Sequence, residues 1–224
     1  MRALYTIILV LPCFACLVPE DLGHRRDGGI PVSAEAGPGT GTDAGSDASA
    51  GDGSVTPGRK RMFVTTKQFT GNLKAEGGAA DGLGSGDAIC NREAGDARLS
   101  GTFRAWLSTS TVAAKDHVAA VGPWFQVDGT EAFPSASPVD GPRWFPNVTA
   151  EGKVLFNFDE AWTGTASDGT RSLDGSACRD WTSDAVGDLG SVGAISSSSE
   201  WTAKVIAPTT NACNEPAHIY CFEQ

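Results

Sequence analysis

Apolar residues fall in short runs separated by long polar stretches, and the period of each run predicts an element. The first run, Leu4 to Leu11, is broken only by Thr6 and ends at Pro12. It is too short to cross a bilayer and has the length of a secretory apolar region, with Arg2 as its charged flank. No later run is long enough for a transmembrane helix. From Asp27 to Gly58 the pattern vanishes into Gly, Ala, Ser, Asp, Thr and Pro, with no aromatic residue and no Lys or Arg. Such a segment buries too little apolar surface to offset its ordering entropy and reads as a flexible tether. Periodicity resumes at Met62–Thr66, which predicts a first strand. After a Gly-rich loop, Ser85 is placed to cap a helix reaching about Ala97, with Cys90, Ala94 and Ala97 on one stripe. Thr102–Ser108 alternates, Phe103, Ala105 and Leu107 on one face and Arg104 and Trp106 on the other. A short helix is expected over Val112–His117. Strands are expected at Trp124–Val127, Val154–Phe158, Cys178–Thr182, Trp201–Ile206 and Ala217–Phe222. Two early helices and many later strands predict an α+β domain with an antiparallel sheet and a long irregular section.

Composition sharpens this organisation. The chain has 224 residues, 17 Lys+Arg against 27 Asp+Glu, and a formal net charge of -10. Nucleic acid, heparin and an anionic membrane face would each be approached against repulsion, so none is expected as a partner. Pro12-Cys13-Phe14-Ala15-Cys16 closes the targeting segment. A small residue directly before a cysteine resembles the lipobox of bacterial lipoproteins, which makes residues 1–15 a signal peptide and Cys16 the lipidated terminus. The match departs from the usual pattern at Cys13 and Phe14, and an ordinary signal peptide cleaved beyond Cys16 is the other reading. Residues 16–58 then form a lipid-anchored linker with a coil span of roughly 5–6 Å × √n, and residues 59–224 form the domain. Both readings place the protein outside the cytoplasm, at the outer membrane or cell surface or secreted, where disulfides persist. Membrane contact is expected only through the lipid. Cys13-x-x-Cys16 imitates a redox pair but lies inside the targeting segment.

Removing or acylating Cys13 and Cys16 leaves Cys90, Cys178, Cys213 and Cys221, an even set that admits three pairings. Structural zinc is the alternative use of four cysteines, but it favours close Cys-x-x-Cys pairs, and the domain has none.

Several segments carry a likeness to a known family. Gly101-Thr102-Phe103-Arg104-Ala105-Trp106-Leu107-Ser108, Trp162-Thr163-Gly164 followed by Ser167-Asp168-Gly169, Cys178-Arg179-Asp180-Trp181 and Ile219-Tyr220-Cys221-Phe222-Glu223 occur in the order of comparable segments in endostatin. The likeness to bacterial endostatin-like lipoproteins, including the leptospiral group, is closer still, and it covers about Arg61 to Gln224. The resemblance implies a C-type-lectin-like fold with an outer Cys90–Cys221 and an inner Cys178–Cys213 disulfide. It also implies display at a surface and protein or matrix-type partners.

Candidate chemistry is sparse. Calcium lectins of this fold need a carboxylate–amide cluster. Here the corresponding strand reads Trp201-Thr202-Ala203, and Glu215-Pro216 falls between the last two cysteines, so no calcium site is expected and Trp201 reads as core. His24, His117 and His218 are far apart, with nothing local to mark a metal site. Gly82-Leu83-Gly84-Ser85-Gly86 lacks the Lys-Ser/Thr of a phosphate loop and reads as a flexible loop. No Gly-x-Ser-x-Gly or His-Glu-x-x-His motif occurs, so a secreted enzyme ranks last and no cofactor is expected. Asn147-Val148-Thr149 matches a glycosylation sequon, which is irrelevant to a bacterial lipoprotein. The acidic middle of the chain, Asp140 to Asp188, reads as solvated loop carboxylates. Of the tryptophans near the long-loop region, Trp144, Trp162 and Trp181, with Asp168, are the candidate binding residues. An exposed Trp there could anchor a protein partner or stack on a sugar without calcium.

Overall fold

The computed structural model describes residues 59–156 and 159–224. The predicted signal peptide, Cys16 and the tether to residue 58 lie outside the described residues. The domain is mixed α+β, mostly sheet. Its elements are β1 (Lys60–Val64), α1 (Leu73–Gly77), α2 (Gly82–Asp96), β2 (Phe103–Ala105), α3 (Ala114–His117), β3 (Trp124–Gln126), β4 (Glu131–Phe133), β5 (Glu160–Trp162), β6 (Leu189–Ala194), β7 (Thr210–Ala212) and β8 (His218–Glu223).

The sheet is ordered β4-β3-β1-β8-β5-β6-β7, with β2 also on β8. β8 is the hub. It pairs antiparallel with β1 through Phe63↔Cys221 and with β2 through Ala105↔Cys221, and parallel with β5 through Trp162↔Ile219. β1–β3 is also parallel, so the sheet is mixed rather than purely antiparallel.

Both faces of the central strands are buried, which accounts for the uninterrupted apolar runs Met62-Phe63-Val64 and Ile219-Tyr220-Cys221-Phe222. On one face Phe63, Phe103, Ala105, Leu107, Ile219 and Cys221 pack with Ile89 and Cys90 of α2. On the other, Met62, Val64, Trp106, Tyr220 and Phe222 pack with Trp124, Phe133 and Trp201. The alternation expected over Thr102–Ser108 is therefore present, and the face that carries Trp106 packs into a second core.

The two disulfides are Cys90–Cys221 and Cys178–Cys213. The first ties α2 to β8 across 131 residues of sequence and the second closes 35. Loop-closure entropy gives about 5 and about 4 kcal/mol for loops of these lengths, each an upper bound.

Several expected elements differ. α2 begins three residues before Ser85. Asp81 is the cap, its Oδ1 accepting from Gly84 N at 2.7 Å. Ser85 is buried inside the first turns and accepts from Ala79 N at 3.0 Å, so the Gly-rich stretch is helix and not a flexible loop. Cys178–Trp181 is not a strand but a single left-handed turn, with φ of 46, 53, 56 and 64°. Trp201–Ile206 is irregular, because Trp201 turns inward to pack on Phe133 and Tyr220. Val154 makes one isolated bridge to Val148, and residues 157 and 158 lie outside the described set.

Candidate recognition surface

Five of the six tryptophans are buried, and Trp144 is 58% exposed. Trp162 and Trp181, two of the candidate binding residues, come together in the core with ring centroids 5.9 Å apart. Their indole N–H groups donate to the carbonyls of Phe69 at 2.7 Å and Ser108 at 2.8 Å. Neither side chain reaches solvent, so neither can contact a ligand. A large aromatic body gains more from burial than from exposure, and a single carbonyl satisfies its one donor. Asp168 is exposed, at the tip of a turn closed by Ala166 N→Thr170 O at 2.8 Å. Its Oδ1 accepts from the Thr170 hydroxyl and from Thr170 N, which holds its carboxyl below the usual range. Asp168 therefore caps its own turn. Two other mid-chain carboxylates are also engaged by side chains: Asp174 by Ser172, and Asp188 by Ser183 and Arg179.

Trp144 sits where the chain enters a short hairpin. Arg143 N donates to Ala132 O at 2.7 Å and ties the entry to β4. Asn147 N→Phe145 O, Leu155 N→Asn147 O and the Val148↔Val154 bridge close the hairpin. Val64 N→Val148 O at 2.9 Å and Gln126 Oε1, which accepts from Val148 N at 3.0 Å, seat it on the sheet. The Asn147 amide is used inside it, donating to Leu155 O at 2.8 Å. Val148 is buried as the hairpin's anchor, while Phe145 and Phe156 remain 50% and 84% exposed. The antiparallel register brings Phe156 opposite the Trp144–Pro146 segment. The exposed aromatic side chains thus stand at the open end of an anchored hairpin, with Arg143 next to Trp144 in sequence. Phe156 did not stand out in the sequence, because a phenylalanine in an expected strand normally signals core, and Phe145, between Pro142 and Pro146, belonged to no expected element.

His117 and His218 serve the fold. His117 Nε2 lies 2.9 Å from Asp87 Oδ1, and His218 Nδ1 lies 2.7 Å from Thr65 O. Among the described residues no group of His, Cys, Asp or Glu is arranged to hold a metal ion. No helix among them is long and apolar enough to cross a membrane. No family model matches the chain, and no curated protein matches it.

Proposed function

We propose that the chain is an exported recognition module that binds a protein or matrix-type partner through the aromatic hairpin around Trp144. On this reading the domain is a C-type-lectin-like scaffold of the endostatin-like kind, lipid-anchored at Cys16 and held out on the linker. The support for the scaffold is the ordered set of segments quoted above together with two nested disulfides in an α+β domain. The observation that carries the function is the exposure of Trp144, Phe145 and Phe156 on one anchored hairpin, in a protein that buries its other five tryptophans. Tryptophan at the centre of an interface commonly contributes about 2 kcal/mol or more to binding. The substitutions Trp144→Ser and Phe156→Ser together are expected to weaken binding to immobilised extracellular-matrix proteins at least tenfold, with the thermal midpoint unchanged. Undiminished binding by the variant, or no binding by the parent, overturns the reading.

A calcium-independent carbohydrate site is the second reading, favoured by the half-exposed ring of Trp144, which could stack on a sugar face. A glycan array read with and without chelator separates the two: selective glycan binding that survives chelation and is lost in Trp144→Ser supports the second.

A further inference from the structure

Away from the aromatic hairpin, two cavities open on either side of the Thr109–Ser110 backbone, and Thr109 lines both. The first, about 380 Å³, is lined by Asp81, Asp87, Asp180, His117 and Val112 with neighbouring backbone, and by no Lys or Arg. The second, about 420 Å³, is lined by Arg171 with Ser110, Thr170, Ser172 and Leu173, and by no Asp or Glu. Both volumes lie in the range of roughly 300–1,000 Å³ typical of small-ligand sites.

Ser110 keeps the two polarities apart. Its N–H and hydroxyl donate to the two carboxylate oxygens of Asp180, each at 2.6 Å. Its carbonyl accepts from Arg171 Nη1. Asp180 and Arg171 are thus held about one residue's backbone apart, and neither makes an ion pair with any described residue. Asp81 is likewise without a cationic partner, whereas Asp87 has His117. Opposite charges this close normally pair directly. Here Asp180 is fixed in the left-handed turn and Arg171 in a bridge to Thr165, so each charge faces its own cavity. Gly164, Gly175 and Ala177, with no long side chain, also line the second cavity. A Cβ at Gly164 would collide with the Trp181 ring and Ser108 O. Leu173 stands fully exposed at the rim.

We propose that the paired cavities bind a zwitterionic peptide segment, its cation against Asp81 and Asp180 and its carboxylate against Arg171. A guanidinium with most of its donors free is suited to a carboxylate. A purely anionic ligand would meet the repulsion of a chain with net charge -10, and a purely cationic one would leave Arg171 in the second cavity unpaired; a zwitterion engages both cavities. The site shares no residue with the aromatic hairpin.

The test is calorimetric titration of the full chain at low ionic strength with three blocked tripeptides: acetyl-Lys-Gly-Glu-amide, acetyl-Lys-Gly-Gln-amide and acetyl-Gln-Gly-Glu-amide. The first should bind tightest, with a loss of about three- to tenfold on removing either charge and screening of the difference in high salt. Arg171→Gln should abolish the preference for Glu over Gln, and Arg171→Lys should retain it. Asp180→Asn should abolish the preference for Lys over Gln. Asn tolerates the positive φ, its oxygen still accepts from Ser110 N and its amide nitrogen can donate to the Ser110 hydroxyl, so the turn should survive. Trp144→Ser should leave all of these affinities unchanged, which separates this site from the hairpin. Free triglycine binding with the same dependence on Arg171 and Asp180 supports the site and assigns the charges to peptide ends. Equal binding of all probes, no binding of any, or preferences untouched by the two charge-removing substitutions overturns the proposal.

Discussion

Tyr220 carries its hydroxyl into the second core, fully buried and without a hydrogen-bond partner among the described residues. Desolvation pushes its phenol well above the ordinary value, so it stays neutral. A buried hydroxyl without a partner costs about 1–3 kcal/mol. Tyr220→Phe should therefore be neutral or stabilising by up to about 1–2 kcal/mol in urea denaturation; a clear loss of stability would reveal a partner for the hydroxyl. His218 has the opposite character, buried but engaged. Its Nδ1–H donates to Thr65 O and its Nε2 accepts from the Gln68 amide at 3.3 Å, which sets the neutral tautomer. Burial lowers its pKa from 6.5, against the opposing pull of Thr65 O and Asp159. Below 6.5 the unfolded chain takes up a proton that the folded chain refuses, so stability is complete above that pH and falls as pH drops toward the folded value. The urea midpoint should fall between about pH 7.5 and about pH 5.5, and His218→Gln should flatten that fall. Asp168, Asp174 and Asp188, all lowered, act in a separate window, losing their contribution only as pH falls below 3.8.

The left-handed turn at Cys178–Trp181 is held against local backbone preference. Four successive non-glycine residues at positive φ carry a penalty of about 1–2 kcal/mol each. What holds them is tertiary: the Cys213 disulfide, the Asp180–Ser110 bonds, and Trp181 anchored on Ser108 O. Arg179 contributes only an exposed ion pair to Asp188 at 2.8 Å, of a kind worth about 0–1 kcal/mol. Arg179→Gly should thus be neutral or stabilising by about 1 kcal/mol in thermal melts; a loss of more than that would show that the strain is not local. Ordinary strand periodicity cannot reveal such a turn, since local preference opposes it at every residue. β6 hid for a related reason. Its Leu-Gly-Ser-Val-Gly-Ala sequence has poor strand propensity. Yet Gly193 is needed where the Trp201 carbonyl crosses, and Gly190 where Trp162 and Cys178 Sγ pack. The helix over residues 82–96 was visible, but its start was displaced, because Asp81 and Ser85 are both competent caps and only the burial of Ser85 decides between them.

At the scale of the whole molecule, β8 joins both cores and both ends of the domain, with Cys90 fastened to its centre. Replacing Cys90 and Cys221 together by Ala should cost about 2–5 kcal/mol, and by the same measure the Cys178–Cys213 pair somewhat less. A midpoint unchanged in the first variant would show that the sheet closes without the link. The amino-acid sequence by itself determined the α+β class, the central strands β1 and β8, the face alternation over residues 102–108 and the even count of domain cysteines, because these rest on local period and composition. It left the cysteine pairing to a resemblance, which the two disulfides of the fold match. Only the tertiary structure decided which aromatic residues meet solvent. Trp144, Trp162 and Trp181 have the same side chain, and local sequence does not separate them. Exposure is settled by what the rest of the chain brings against each ring: a disulfide-held turn and sheet cover two of them, while the described residues leave the third 58% exposed.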